Sequence, residues 1–528
     1  MLTKRLIHLS SRLVPTLLCV ACVPLIVIAL VRWLFDMPLS AFRPVLSDEV
    51  YYWHEALTFA RAGLQGGYYT LEEVTNPSGF TPFGPHGAGF VMLYGLVARF
   101  FEWHRHSVLL LNLIVIAGGA WVWATCARIS TARLWLSVLL LATFWQMVFW
   151  ASTGMQESFH HAGALVMAAL FARALSGPSR IPLTVSGAAI LVLLSLVRPT
   201  WIILMPLWML VTMRESSRPR LVAAVVASLV VGVVMLMIFN RTVAPYSRGF
   251  SFVELLNRSG SRDTPSIVDN LMFNLSRTVT FSEYDDLEIL HRLQYWGFMA
   301  ATLVAAATLW RRRPPSPRSV GPSTGSGPSR AESRDGEAGS RPVAHLAIAA
   351  TSMVAILVLM LFLYSLTNWA EHRVLSAFLL FAVLLTLAAP GRVPVLLVTA
   401  LIASNLATAG TFRRVFEAKR QDQFVWDRRG VNALEDALST HRITYRKGDS
   451  RWCNTLLTAQ EPPYLIAVPA GIGISVVRES DQMSVPPHSR YLLLDESALV
   501  HFKRPLRVQP LATLPYGTLY VNLESGCR

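Results

Sequence analysis

Three carboxylates in this sequence have the type and placement expected of a catalytic acid or base. Asp48 and Glu49 follow the first long apolar run, and Glu157 ends the motif Ser-Thr-Gly-Met-Gln-Glu before a later apolar run. A carboxylate is costly at membrane depth unless it is paired or hydrated, so acids at the ends of apolar runs are candidates for function. Such a group can take the proton of an attacking hydroxyl.

Local sequence around Asp48 and Glu49 predicts a helix that begins at Ser47 as N-cap. Both acids would lie in its first turn, where the helix dipole favours their ionised form. A capping role without catalysis is therefore the alternative for both. The predicted apolar stripe of this helix is formed by Tyr52, Ala56, Phe59 and Ala60.

Two histidines follow Glu157, at His160 and His161. Glu157 and His161 are four residues apart and would share one helix face. That spacing is compatible with a proton relay or a metal ligand pair, but one carboxylate and one histidine are a weak metal signal. A structural polar role is the favoured interpretation of His161.

Candidate cations lie near the same ends of the apolar runs. Arg198 occurs in Leu-Val-Arg-Pro, and Glu371, His372 and Arg373 form a short polar turn after Trp369. An arginine fork at a membrane surface can bind phosphate through parallel donors. Arg373 as an interfacial anchor beside Trp369 is an equally open interpretation. We treat Arg198, Glu371, His372 and Arg373 as candidate substrate-binding residues.

Composition predicts the class of protein that holds these residues. Of 528 residues, 53% are hydrophobic and 15% are charged, against roughly 25% charged residues in soluble domains. This excludes an ordinary soluble enzyme and predicts an α-helical polytopic membrane protein. The net charge of +15 falls mostly in short loops and one linker, as the positive-inside rule expects, so no nucleic-acid partner is predicted.

Hydropathy and loop charges together predict about eleven transmembrane helices with a cytoplasmic N-terminus. The run 88–101 is short and ends in charge, so we expect it to lie flat at the interface with membrane lipids. The predicted spans are 14–35, 107–126, 133–150, 158–175, 181–198, 200–213, 220–239, 293–310, 343–365, 374–389 and 393–410.

Domain boundaries follow from this threading. Residues 1–410 form a transmembrane domain, in which 36–106 is a long first external loop with interfacial helices. The stretch 311–342 is rich in Pro, Gly, Ser and Arg and predicts a disordered cytoplasmic linker. Residues 411–528 predict a small external α/β domain.

The predicted external domain has a helix and three short strands, and it holds two of the five cysteines. If it faces an oxidising compartment, Cys453 and Cys527 could form a disulfide. The predicted elements are helix Asp427–His441 and strands Tyr464–Val468, Ile474–Val477 and Tyr491–Leu494.

These motifs resemble those of the GT-C superfamily of membrane glycosyltransferases. That superfamily includes protein O-mannosyltransferases, lipid A aminoarabinose transferases and bacterial oligosaccharyltransferases. The resemblance rests on Asp48-Glu49, the motif ending in Glu157, Arg198, Arg373 and the external C-terminal domain. It covers the layout of roughly residues 1–410, through short motifs of moderate specificity.

The resemblance implies an inverting transfer of a single sugar from a polyprenyl-phosphate carrier. The acceptor would be a hydroxyl of a lipid, glycan or protein at the periplasmic face of a bacterial inner membrane. Asp48 takes the role of general base, with Glu49 as the alternative, and Arg373 or Arg198 stabilises the leaving phosphate. The second loop lacks the Asp-x-Asp motif found in the metal-requiring oligosaccharyltransferases, so a divalent metal is not predicted. No other cofactor is predicted. The C-terminal domain lacks an identifiable oligosaccharyltransferase signature, which favours single-sugar over whole-glycan transfer.

Two other classes of function stay open from sequence. One is a transporter or flippase of a lipid-linked solute, which would need ionisable residues within its spans. The other is a non-catalytic envelope-glycan assembly protein that binds glycans through its external domain.

Overall fold

The structure is a computed structural model of the 528-residue chain. It describes residues 2–45, 47–65, 87–178, 181–242, 267–279, 286–311, 332–363, 370–424, 428–459, 462–476, 486–500, 502 and 504–527.

Helices dominate these residues, as the apolar runs predict. In chain order they are α1 Leu2–Phe35, α2 Ser47–Ala62, α3 Ala88–Phe100, α4 Ser107–Cys126, α5 Thr131–Thr143, α6 Trp145–Ala151, α7 Glu157–Ser176, α8 Ile181–Val197, α9 Leu204–Thr212, α10 Arg218–Thr242, α11 Ile267–Val279, α12 Asp286–Arg311, α13 Glu332–Leu363, α14 Ala370–Ala388, α15 Arg392–Ala407, α16 Ala409–Phe424, α17 Arg428–Thr440 and α18 Glu496–Val500.

Several of these helices are suited to cross a membrane. Within the described part of the chain, five are long and apolar enough, or seven if each of two bent pairs counts as one span. The bent pairs are α5 with α6, at 57°, and α15 with α16, at 56°. A polytopic helical membrane protein is therefore supported, whereas the number eleven is not confirmed by length and composition. Some of the other predicted spans correspond to shorter apolar helices, among them α8 and α14 from Arg373 onward.

The buried centre of the bundle is formed around α7. In the most apolar 18-residue stretch of α7, 78% of the residues are buried inside the protein, compared with 11% in the corresponding stretch of α10. A helix that is apolar all round and buried lies inside a bundle, whereas an exposed apolar helix is suited to face lipid. Gly119 of α4 allows the close approach to α7, since a Cβ there would lie 2.9 Å from the carbonyl oxygen of Ala162.

Arginines at helix ends also tie helices together. Arg133 donates to the carbonyl oxygens of Leu387 and Ala388, at 3.1 and 3.0 Å, and to that of Gly391. A guanidinium there satisfies the free carbonyls and the negative dipole end of α14. Part of the predicted cytoplasmic charge therefore has a structural role.

The first loop contributes two packed helices, α2 and α3. Tyr52, Ala56 and Phe59 of the predicted stripe are buried, and a Cβ at Gly95 of α3 would lie 2.9 Å from the Ala56 carbonyl oxygen. In α3, Phe90 and Tyr94 are buried while Phe100 is 78% exposed. Residues 66–86 of this loop lie outside the described part of the chain.

The C-terminal region contains a five-stranded mixed sheet of order β2-β1-β3-β5-β4. Strands β1, β2 and β3 are parallel, and β5 pairs antiparallel with β3 and β4. The strands are β1 Thr455–Thr458, β2 Gly473–Val476, β3 Tyr491–Leu494, β4 Val508–Leu514 and β5 Gly517–Asn522. Helix α17 and strands β2 and β3 match the predicted elements.

One predicted strand is wrong. Residues Tyr464–Val468 lie mostly in a 3₁₀ helix that spans Pro462–Ala467. Two consecutive prolines begin this segment, and proline lacks the backbone N–H of a sheet ladder while its fixed φ suits a first helical turn. The β-like side chains of this run pack into the core from helical turns instead.

The predicted linker 311–342 is described only in part. Its residues 312–331 lie outside the described part of the chain, and helix α13 begins within the predicted linker, at Glu332.

Cys453 and Cys527 are joined by a disulfide with a Cα–Cα distance of 5.5 Å. The disulfide connects the start of β1 to the chain after β5, across the sheet.

Candidate active site

Asp48 lies in the first turn of α2 and is paired with a residue distant in sequence. Its Oδ2 lies 2.6 Å from Nη1 of Arg373. The Asp48 side chain is 22% exposed, and that of Arg373 is 20% exposed. This ion pair is therefore accessible to a substrate, whereas the polar side chains around it are buried.

Glu157 begins α7 and holds two arginines. Its Oε1 accepts from Nη2 of Arg198 at 2.6 Å and from Nε of Arg373 at 2.5 Å. The Glu157 side chain is fully buried, and that of Arg198 is 8% exposed. Glu157 is thus turned towards the arginines rather than towards solvent, which favours a positioning role over direct catalysis.

Arg198 and Arg373 are brought together by two helix ends. Arg198 directly follows α8 and precedes the 3₁₀ helix Pro199–Ile203, where proline ends the α-helical hydrogen bonding. Arg373 lies in the first turn of α14. Nη1 of Arg198 also donates to the Arg373 carbonyl oxygen at 3.4 Å. The four predicted residues Asp48, Glu157, Arg198 and Arg373 therefore form one cluster, which we call the acid–arginine cluster.

Tyr52 is a member of the cluster that sequence analysis placed only in an apolar stripe. It lies one turn after Asp48 on α2, and its hydroxyl accepts from Nη2 of Arg373 at 3.3 Å. Burial raises the pKa of Tyr52 well above its ordinary value; Arg373 opposes this, and Asp48 and Glu157 add to it. The hydroxyl therefore stays protonated, so it serves as a neutral partner of the guanidinium. Its spacing of four from Asp48 was the available sequence signal.

Glu49 points away from this cluster. Its Oε1 accepts from the backbone N–H of Gly154 at 2.9 Å, and its Oε2 accepts from that of Val45 at 3.3 Å. The side chain is fully buried. Glu49 thus joins the loop before α2 to the loop before α7, which favours a positioning role over that of an alternative base.

The loop before α7 is also held by Asn112, which sequence analysis missed. Its Nδ2 donates to the carbonyl oxygens of Thr153 and Met155, at 3.0 and 2.8 Å, and its Oδ1 accepts from the Tyr94 hydroxyl at 2.5 Å. A polar asparagine within the predicted apolar span 107–126 was the available sequence signal. Asn112 thereby fixes the turn that leads into α7, which begins at Glu157.

The two histidines after Glu157 have structural partners. Nε2 of His161 lies 3.0 Å from Oγ of Ser376, and Nδ1 of His160 accepts from the Trp201 indole N–H at 2.9 Å. Both rings are buried in the bundle. Within the described residues, no group of three or more His, Cys, Asp and Glu side chains is arranged to hold a metal ion.

Two candidate substrate-binding residues are not placed by the structure. Glu371 and His372 lie in the first turn of α14, but their side chains lie outside the described part of the chain. Trp369, the neighbour on which the anchor interpretation of Arg373 depends, lies outside it entirely. The roles predicted for these residues stay predictions.

Comparisons with known proteins give one structural similarity. No protein-family model matches the chain, and no curated protein matches it. Among solved structures, the chain is similar to the oligosaccharyltransferase of Archaeoglobus fulgidus in its apo form, with a TM-score of 0.47 and 11% sequence identity. The match covers 92% of this chain and 69% of that chain. Oligosaccharyltransferases are among the enzymes that the sequence motifs resemble, and a likeness of this extent concerns the fold alone.

Proposed function

We propose that this chain is a membrane glycosyltransferase that moves a single sugar from a polyprenyl-phosphate carrier to a hydroxyl acceptor, with inversion. The acid–arginine cluster is the observation that supports this proposal. It combines an accessible carboxylate with two arginines at the ends of apolar helices. A substrate with a lipid tail, a phosphate and a sugar matches that combination, since the tail stays in the bilayer while the phosphate meets the guanidinium groups.

The proposed donor phosphate would compete with Asp48 for Arg373. All three nitrogens of the Arg373 guanidinium group already have partners, in Asp48, Glu157 and Tyr52. Asp48 is the accessible carboxylate of the two, so it is the partner that a phosphate can replace. A carboxylate released from an arginine becomes more basic, which prepares Asp48 to accept a proton.

The proposed chemical step is a single displacement. Asp48 accepts the proton of the acceptor hydroxyl as that oxygen forms a bond to the anomeric carbon. The bond from the anomeric carbon to the phosphate oxygen breaks, and its electron pair leaves with polyprenyl phosphate. The positive charges of Arg373 and Arg198 stabilise the added negative charge. The proposal therefore needs no divalent ion.

Glu157 has a supporting role in this mechanism. It is buried between Arg198 and Arg373 and accepts from both at 2.5–2.6 Å. An anion at that point keeps two like charges close together and sets the direction of both forks. The proposal therefore assigns positioning to Glu157 and Glu49, and proton transfer to Asp48.

We place the cluster and the C-terminal domain at the periplasmic face of a bacterial inner membrane. The disulfide between Cys453 and Cys527 supports this, because disulfides persist in oxidising compartments. The C-terminal domain contacts α2 directly, so the two lie on the same side: the N–H of Gly471 donates to Oγ1 of Thr58 at 3.0 Å.

The substitution Asp48→Asn tests the proposed base. We expect transfer to fall by roughly 10²–10⁴-fold, because the amide cannot accept the proton. The assay is transfer of radiolabelled sugar from a panel of polyprenyl-phosphate donors to envelope extract, with purified protein in detergent. Asp36→Asn is the matched control, since Asp36 forms an exposed pair with Arg32 at 3.2 Å. Full activity of Asp48→Asn would contradict the assignment.

A lipid-linked-solute transporter is the second candidate, and one observation favours it. Gln294 in α12 binds Gln146 and Asn405, at 3.0 and 2.7 Å, and these two lie in the bent helix pairs α5–α6 and α15–α16. Broken helices with polar groups at membrane depth are typical of transporters. Sugar transfer by purified protein in detergent distinguishes the two functions, because transport needs a sealed compartment.

A further inference from the structure

A cavity of about 530 Å³ lies between α2, the connection from α3 to α4, and the C-terminal domain. Ligand sites typically have volumes of about 300–1,000 Å³ and combine aromatic side chains with a few polar groups. The residues that line the cavity on these elements include Arg43, Trp53, Trp103, His104, Arg105 and Glu435.

Positive charge dominates this cavity. Burial lowers the pKa of Arg43, and the nearby charges of Arg105 and Arg428 lower it further. The guanidinium group of Arg43 is therefore close enough to those of Arg105 and Arg428 to be repelled by both. The acidic residue among the lining side chains is Glu435, whose Oε2 lies 3.0 Å from Nη2 of Arg105. An excess of fixed positive charge in a cleft attracts an anion.

The aromatic side chains of the cavity are held in place by their own polar groups. The indole N–H of Trp53 donates to the His104 carbonyl oxygen at 2.9 Å, and that of Trp103 donates to the Trp53 carbonyl oxygen at 3.3 Å. Since these donors are already used, the rings can offer a ligand mainly their carbon surfaces. A flat apolar surface beside arginines is suited to the C–H face of a sugar ring with a negative substituent.

The cavity and the acid–arginine cluster share helix α2. Trp53 directly follows Tyr52 on α2, and successive residues are about 100° apart around a helix. One helix therefore presents Asp48 and Tyr52 to the cluster and Trp53 and Leu57 to the cavity. Asp48 and Tyr52 lie on nearly the opposite side of α2 from Trp53 and Leu57, so the helix itself stands between the two sites.

We propose that this cavity binds the acceptor, and that the acceptor is an anionic saccharide. Its carboxylate or phosphate lies against Arg43 and Arg105, and a sugar ring packs on Trp53 or Trp103. This inference rests on the proposed glycosyl transfer, because it assigns the cavity to the substrate that supplies the hydroxyl. It narrows the acceptor class from any lipid, glycan or protein hydroxyl to a negatively charged glycan.

The test is direct binding to the full chain in detergent, measured by isothermal titration calorimetry. The probes are trigalacturonate, glucose 6-phosphate and neutral maltotriose. We expect at least one anionic probe to bind at least roughly tenfold more tightly than maltotriose. Preference for trigalacturonate identifies a carboxylate glycan, and preference for glucose 6-phosphate identifies a phosphorylated one. Equal binding of all three probes, or no binding of the anionic ones, would overturn the inference.

Two substitutions with opposite expected signs sharpen this test. Arg105→Gln removes a cation and is expected to weaken binding by roughly tenfold. Glu435→Gln removes the carboxylate that competes for Arg105 and is expected to tighten binding severalfold. Arg414→Gln is the matched control, because Arg414 forms an exposed pair with Asp286 at 2.6 Å and does not line the cavity. Weaker binding by Glu435→Gln, or unchanged binding by Arg105→Gln, contradicts the site.

Failure of this inference can be separated from failure of the proposed function. Asp48→Asn should bind the anionic probe as the unmodified protein does while transfer is lost. Binding without transfer from any donor in the unmodified protein would refute the glycosyltransferase and keep the anion site. Transfer that persists while no anionic probe binds would refute the anion site and keep the glycosyltransferase.

Discussion

At the scale of single residues, two adjacent acids have different environments. Asp48 is partly exposed and pairs with Arg373, whereas Glu49 is buried and accepts from the backbone of Gly154. Because they are one residue apart on a helix, their side chains differ in direction by about 100°. Chemical type alone could not assign the base, but exposure and partners distinguish the two carboxylates.

The substitution Glu157→Gln tests the buried anion that holds Arg198 and Arg373. It leaves two arginines close together without their shared counter-charge, and breaking a buried pair costs about 3–5 kcal/mol. We expect a lower thermal midpoint in detergent and a loss of transfer. Glu215→Gln is the control, because Glu215 is 59% exposed and lies 3.8 Å from Arg214. If both variants were equally stable, Glu157 would not be needed to hold Arg198 and Arg373 in place.

At the scale of helices, close backbone approaches set the position of the arginines. Gly89 of α3 lies against the end of α8, where a Cβ would clash with the Leu196 carbonyl oxygen. Arg198 follows two residues later and reaches Glu157 from that helix end. Glycine at position 89 therefore lets α3 pack directly against the helix end that carries Arg198.

The substitution Gly89→Ala tests this packing. The added methyl group must push α3 and α8 apart, because backbone atoms cannot move aside as a flexible side chain does. We expect a loss of about 1–3 kcal/mol in the free energy of unfolding, together with reduced transfer. Thermal unfolding in detergent and the transfer assay are the measurements.

Gly118→Ala is the matched control for this prediction. Gly118 also lies in a helix, α4, but a Cβ there would meet no atom within 4 Å. Alanine is favoured over glycine in a helix interior, so this variant should be neutral or more stable by up to about 1 kcal/mol. A Gly89→Ala protein as stable as Gly118→Ala would refute the close approach.

At the scale of the whole molecule, the C-terminal domain is fixed to helix α2 by polar contacts. Nε2 of His54 lies 3.2 Å from the Pro469 carbonyl oxygen, and the next turn of α2 binds Gly471 through Thr58. Gly471 has φ +91°, and a Cβ there would meet Tyr445 at 2.6 Å. The glycine-containing turn 469–472 thus forms the surface on which α2 contacts the C-terminal domain.

This docking contact predicts a pH dependence of stability. Burial lowers the pKa of His54 from 6.5 to about 4, while its hydrogen bond to Pro469 opposes the shift. Between these two pH values the unfolded chain binds more protons, so stability falls as the pH drops from 6.5 towards 4. The full effect is about 3 kcal/mol.

The measurement is the thermal midpoint between pH 7.5 and pH 4.5 in detergent. His54→Gln is the comparison, since glutamine retains an N–H donor for Pro469 but does not titrate. We expect the unmodified protein to lose more stability on acidification than His54→Gln does. Parallel pH profiles of the two proteins would show that His54 is not the titrating group.

Much of the local structure was predictable from sequence because it depends on neighbours along the chain. Hydropathy gave α4 as 107–126, and the N-cap pattern gave a helix starting at Ser47 with Asp48 in its first turn. The strand predicted at Tyr464–Val468 is wrong, because the two prolines before it favour a helical turn over its β-like side chains. The candidate residues Asp48, Glu157, Arg198 and Arg373 were chosen from charge at the ends of apolar runs.

Only the tertiary structure decided which of these residues are partners. Glu157 meets Arg198 across 41 positions and Arg373 across 216, and no local pattern specifies such a pairing. It likewise decided that Asp48 is accessible while Glu49 is buried, and that Cys453 pairs with Cys527. The physical reason is that helix formation is governed by nearby residues, whereas the direction and environment of a side chain depend on how distant helices pack.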